Sequence, residues 1–174
     1  RPHKGIHDLL TALKLIDDPD LRLAVIGVEN EEEFTQGIDD LLRSRVVVFP
    51  KIPFDKLPEY LSAADILAVP QRKTSDSIGQ MPAKIYDAMA MAKPIVATCV
   101  SDIPEVLGDS GYLVDPGEPS QLASAIQYIL SHPDEAHGKA LAARERCRQM
   151  YDMKNLESGL QELVAQVTAT QGGA

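Results

Sequence analysis

The sequence predicts an α/β domain built as an open parallel sheet with helices on both faces, and three observations lead there. Segments of helical and of strand-sized apolar spacing alternate along the chain. The strand-sized runs are continuously apolar, as strands covered on both faces are. A chain of 174 residues at 44% hydrophobic can bury one core but is short for two full-sized domains.

Taken in order, Ile6, Leu9, Leu10, Leu13 and Ile16 share one face of a first helix. Leu21 to Gly27 reads as a buried strand. Asn30 is placed to cap a second helix with Glu33 as its capping-box partner, and Phe34, Ile38, Leu41 and Leu42 form that helix's buried stripe. There follow a strand over Val46 to Phe49, a short helix over Leu57 to Ala64, and a strand over Ile66 to Val69. A helix over Pro82 to Ala92 and a strand over Ile95 to Thr98 come next. Asp102, with Glu105, is expected to cap a short helix from Ile103 to Leu107, ahead of a last strand at Tyr112 to Val114. Three helices, with Pro119 and Pro133 in first turns, occupy 119–170, and Gln171 to Ala174 are expected to fray.

A net charge of −9 argues against a nucleic-acid or anionic-membrane face, so any phosphate site must be a local positive patch. No run is long enough to span a membrane or to serve as a signal peptide, which points to a cytoplasmic protein. Cys99 and Cys147 make neither a disulfide framework nor a metal cluster and read as small apolar residues. His3 and His7 lack a third ligand, so no metal is expected.

Open parallel sheets bind ligands beyond the carboxyl ends of their strands. Arg1, His3 and Lys4 precede the first helix, Arg72 and Lys73 follow the strand ending at Val69, and Lys84 opens the helix after the longest loop, Pro70 to Met81. Scattered solvated charges are the plainer reading of six such residues, but their shared placement favours an anion site. Gly5 after Lys4 lets the backbone approach closely. Asp87, on the same side of its helix as Lys84, is either an exposed ion-pair partner or an acceptor for two neighbouring sugar hydroxyls. Neither a Walker loop nor a Gly-x-Gly-x-x-Gly fingerprint is present.

The ordered segments Lys4-Gly5-Ile6, Asp65 to Pro70, Pro82 to Ala90, Lys93 to Ala97 and Ile103 to Leu107 resemble the C-terminal, donor-binding domain of family 4 (group 1) glycosyltransferases. The likeness runs from Lys4 to about Leu130. It implies a Rossmann-like domain forming the C-terminal half of a GT-B fold over 1–174, with its first strand and the N-terminal acceptor domain absent. The partner implied is a nucleoside diphosphate sugar, with no metal or other cofactor, no nucleic acid and no membrane span. Lys4 and Arg1 match the positions that stabilise the diphosphate, and Asp87 matches the acid that binds ribose. Ser77, Gly79, Gln80 and Met81 correspond to backbone around phosphate and sugar, with Asp76 and Lys84 beside them, and Lys51-Ile52 falls where the base is met.

The same resemblance implies a retaining transferase acting in polysaccharide or glycolipid assembly, cytoplasmic or held peripherally to the membrane through the absent domain. The isolated domain is expected to be inactive. One departure stands out: Gly79 occupies the place of the first glutamate in the family's paired-glutamate signature, and Asp76 is the candidate substitute. Two alternatives stay open, a GT-B-type nucleotide-sugar epimerase and a non-catalytic binding module.

Overall fold

All strand pairs among the described residues are parallel, and helices pack on both faces of the sheet that holds Ile95–Thr98. The structure, a computed structural model, describes residues 2–171; the expectations placed on Arg1 and on Gly172 to Ala174 lie outside the described residues, and Gln171, expected to fray, closes the last helix. The elements in order are α1 (Ile6–Leu15), β1 (Leu23–Ile26), α2 (Glu31–Gln36), α3 (Asp40–Arg43), β2 (Val46–Phe49), α4 (Leu57–Ser62) and β3 (Leu67–Val69). They continue with α5 (Lys84–Ala90), β4 (Ile95–Thr98), α6 (Ile103–Leu107), β5 (Tyr112–Val114), α7 (Pro119–Ser131), α8 (Pro133–Met150) and α9 (Met153–Gln171).

Strand β4 shows why the fold holds. All four of its residues are buried, and the first three alternate between two cores. Ile95 and Ala97 pack with Ile85, Ala88 and Met89 of α5, with α6, and with Ala143 of α8. Val96 points the other way, to Leu9 and Ala12 of α1 and to Leu122, Ala123, Ile126 and Ile129 of α7. Each large side chain so enclosed contributes about 1.5–3 kcal/mol.

The α2–α3 region corrects one expectation. Gly37 ends α2, and Asp39 caps α3 by accepting a hydrogen bond from the Leu41 amide. This break resets the helical phase: Ile38 and Leu42 are buried with Leu10 and Leu13, whereas Leu41 is 75% exposed. The Asn30 cap forms as expected, its side chain accepting from the Glu33 amide at 3.1 Å. Asp102 makes no side-chain capping bond; its backbone carbonyl accepts from Val106 instead. Cys147 is half-buried, but Cys99 is exposed and does not serve as an apolar filler.

The strands form two sheets rather than the one expected: β1 with β2, and β3-β4-β5. Leu23 and Gly27 direct their N–H groups to Arg45 and Phe49, so the alternation of a parallel ladder turns the polar groups of Ala24 and Ile26 away from β2. Leu67 donates to Pro94, which turns those of Ala68 away from β4. Both free edges border one groove of about 1100 Å³, lined by consecutive residues of each strand from Leu23 onward and from Leu67 onward. Consecutive lining marks a strand edge, because only alternate residues face one side of a sheet. Accordingly Leu23, Val25, Leu67 and Ala68 are only half-buried, unlike β4. Among the described residues, no helix is long and apolar enough to cross a membrane.

Candidate functional site

The candidate site is built where α1 begins, against the carboxyl end of β3. Gly5 adopts a left-handed conformation at φ 68°, and a Cβ placed there would lie 1.6 Å from the Pro70 carbonyl oxygen. Only glycine permits this crossing. Two further links hold it: the Arg72 amide donates to the His3 carbonyl at 2.9 Å, and the Arg72 guanidinium donates to both carboxylate oxygens of Asp8. Asp8 and Leu9 donate back to the Gly5 carbonyl, leaving the Ile6 and His7 amides at the positive end of α1 without helical acceptors.

The loop between Pro70 and Met81 is internally bonded. The Ser77 hydroxyl donates to the Arg72 carbonyl at 2.6 Å and accepts from the Thr74 amide at 2.8 Å. The Gln71 side-chain amide donates to the carbonyls of Ser77 and Gln80, and Thr98 donates to the Gln71 carbonyl at 2.6 Å. Asp8, Gln71, Ser77 and Thr98 are all buried, and Ser110 is the only other polar residue described as buried. The sequence reading singled out Ser77 but missed Asp8, Gln71 and Thr98. A lone acid in the first turn of α1 was the one available signal for Asp8.

Lys4 and Lys84 line the same groove, together with Ile6, His7, Pro82 and the segment from Gly27 to Asn30 that follows β1. The role of that last segment was also missed. Water reaches the Lys84 side chain, yet protein crowds it from most sides, as happens to a lysine standing in a concave wall. Burial first, and the like charge of Lys4 second, push its pKa down to about 8. An anion bound between the two lysines would offset both penalties.

Other expected site residues stand elsewhere. Lys51 and Ile52 follow β2 at the same end of the strands but do not border the groove. Asp76, Gly79 and Gln80 are exposed outside it, and Met81, half-buried, packs its side chain against the core. Asp87 is half-buried, and among the described residues its carboxylate makes no hydrogen bond and no ion pair to Lys84; burial raises its pKa. Arg72, bound to Asp8, does not border the groove and is withdrawn from the expected positive patch. Arg1 lies outside the described residues.

Against known proteins, a family model described as glycosyl transferases group 1 matches residues 1–132. The chain is 29% identical to alpha-maltose-1-phosphate synthase of Mycolicibacterium smegmatis, over 95% of this chain and 46% of that protein. It is 30% identical to D-inositol 3-phosphate glycosyltransferase of Corynebacterium urealyticum, over 92% of this chain and 39% of that protein. The chain therefore spans less than half the length of these curated relatives. Sucrose-phosphate synthase from Thermosynechococcus elongatus superposes with a TM-score of 0.81 at 25% identity, covering 98% of this chain and 44% of that one. Anabaena HepE, solved in complex with UDP, superposes with a TM-score of 0.81 at 22% identity over 95% of this chain and 46% of that one, a likeness of fold.

The crossing at Gly5 makes a measurable demand. Gly5→Ala meets both a collision with Pro70 and a left-handed backbone, and is expected to cost more than about 2 kcal/mol in urea denaturation. Gly79→Ala, at φ 82° with open space around it, should cost only about 1 kcal/mol. Equal costs would show that the close approach to Pro70 is not what requires Gly5.

Proposed function

The chain belongs to the glycosyl transferases group 1 family, and from that premise we propose that it is the donor-binding domain of a retaining glycosyltransferase. The full enzyme moves a sugar from a nucleoside diphosphate sugar to a hydroxyl acceptor, in polysaccharide or glycolipid assembly. One observation carries the reading: Lys4 and Lys84 stand in one groove beside the positive end of α1. Helix amides and paired ammonium groups are what a diphosphate leaving group needs as its negative charge develops.

In this proposal Lys4, the α1 amides and Arg1 stabilise the departing diphosphate, and Lys84 neutralises it from the opposite wall. The backbone from Ser77 to Met81 borders phosphate and sugar, Asp76 serves in place of the glutamate that Gly79 replaces, Asp87 accepts from the ribose hydroxyls, and Lys51-Ile52 meets the base. The complex of Anabaena HepE with UDP supports a uridine nucleotide as the first donor to test.

The domain assignment, one nucleotide-sugar-binding unit over 1–174 whose sheet takes a further strand, is supported by the facing free edges of β1 and β3. The proposal further takes the enzyme to be cytoplasmic, with an acceptor domain elsewhere in the complete protein. A binding module without catalysis is the second reading, favoured by Gly79 at the place of the first glutamate.

Calorimetric titration with UDP, GDP and ADP tests the donor site. One nucleotide should bind, and Lys4→Ala and Asp87→Ala should each weaken it roughly tenfold or more. Binding that neither substitution changes would rule out this site. Transfer by the complete enzyme separates catalysis from mere binding. Affinity should also fall as pH rises through about 8, because Lys84 loses the charge that the diphosphate holds. Titration near that pH in buffers of different ionisation enthalpy should report proton uptake. No uptake would show that Lys84 is fully charged before the nucleotide binds.

A further inference from the structure

We infer that Asp8 and Arg72 are positioning residues, whose ion pair locks the Lys4 end of α1 to the loop that runs from Pro70 to the groove-lining Pro82 and Lys84, so that the Lys4 and Lys84 sides of the anion site move as one body. The inference rests on the donor-site reading above and adds to it two residues that do not touch the ligand. Neither side chain borders the groove, so any effect on binding must pass through Lys4 and the loop.

The pair joins positions 64 residues apart in sequence, through two parallel N–H to carboxylate bonds, the geometry that fixes orientation as well as distance. It does not act alone. Gly5 lies on the Pro70 carbonyl, and the Arg72 amide reaches the His3 carbonyl, so three links meet within one turn of Lys4.

From Arg72 the connection runs onward. Its carbonyl accepts from Ser77, whose own carbonyl accepts from Gln71, and the Gln71 carbonyl accepts from Thr98 at the end of β4. The first turn of α1, the loop and the central strand are thereby one bonded unit.

Stability alone does not call for this arrangement. The Asp8 side chain is only 5% exposed, and burying a carboxylate costs free energy that its partner must offset; apolar residues of similar size stabilise such positions as well or better. What the ion pair adds is a single relative orientation of the two segments. Four of the five buried polar residues described in the protein belong to this one network, as expected if orientation there matters.

The double variant Asp8→Leu/Arg72→Met separates positioning from stability, because it removes the pair without stranding a buried charge. Two readings are made on the same samples: nucleotide affinity by calorimetry with UDP, GDP and ADP, and amide hydrogen exchange. The double variant should melt cooperatively near the wild-type temperature and bind roughly tenfold more weakly, with exchange at residues 3–9 and 72–80 accelerated together. Arg72→Lys keeps the charge but not the two-pronged geometry. It should keep the melting temperature and show the same loss in smaller measure, and it decides the matter if the double variant does not fold.

Wild-type affinity and wild-type exchange in the folded variant would overturn the inference. Exchange that rises in only one of the two segments would also overturn it. If the wild-type chain binds none of the three nucleotides, the donor-site reading fails. The exchange arm then still decides whether Asp8 and Arg72 lock the two segments.

Discussion

The arrangement depends first on a steric constraint, the crossing of Gly5 over the Pro70 carbonyl. With a side chain at residue 5 the N-terminal turn of α1 would have to lift from the end of β3. Lys4 and the free amides of Ile6 and His7 would leave the groove with it. The crossing brings together two segments far apart in the chain, and the Arg72 links to His3 and Asp8 fix their angle. The buried apolar layers about β4 supply most of the stability, and this junction supplies the placement.

Electrostatics reinforce the point. The protein carries a net charge of −9, yet two of its lysines line one groove and repel one another. Holding like charges together without a bound anion is unfavourable, and that cost is relieved when a diphosphate enters. Arg72 takes no part in this, because Asp8 neutralises it nearby. The local positive field therefore comes from Lys4, Lys84 and the helix end rather than from a diffuse basic surface.

Much of this was legible in the sequence. The strands Val46–Phe49, Ile95–Thr98 and Tyr112–Val114 were read with the bounds they have, since short apolar runs between turn residues leave little latitude. Lys4 and Lys84 were read at the carboxyl end of the strands, where the groove lies, because open parallel sheets place ligands there. Gly5 was read for close approach to an anion, whereas the structure sets it against the Pro70 carbonyl. Leu41 was misread because periodicity assumes one uninterrupted helix, and Gly37 with Asp39 restarts the phase. The split between the β1-β2 and β3-β4-β5 sheets could not be read, since edge pairing is a relation in space. The same holds for Asp8 and Arg72, whose partnership spans 64 residues and has no local signature.

The central claim is that the groove between Lys4 and Lys84 is the nucleotide site. Backbone amide chemical shifts, followed by two-dimensional NMR during titration with UDP, GDP and ADP, test it most directly. The account predicts that the nucleotide that binds shifts amides clustered at residues 4–8 and 77–84, with the Ile6 and His7 amides among the largest. Saturable shifts confined to another surface, such as the exposed face of α9, would contradict it.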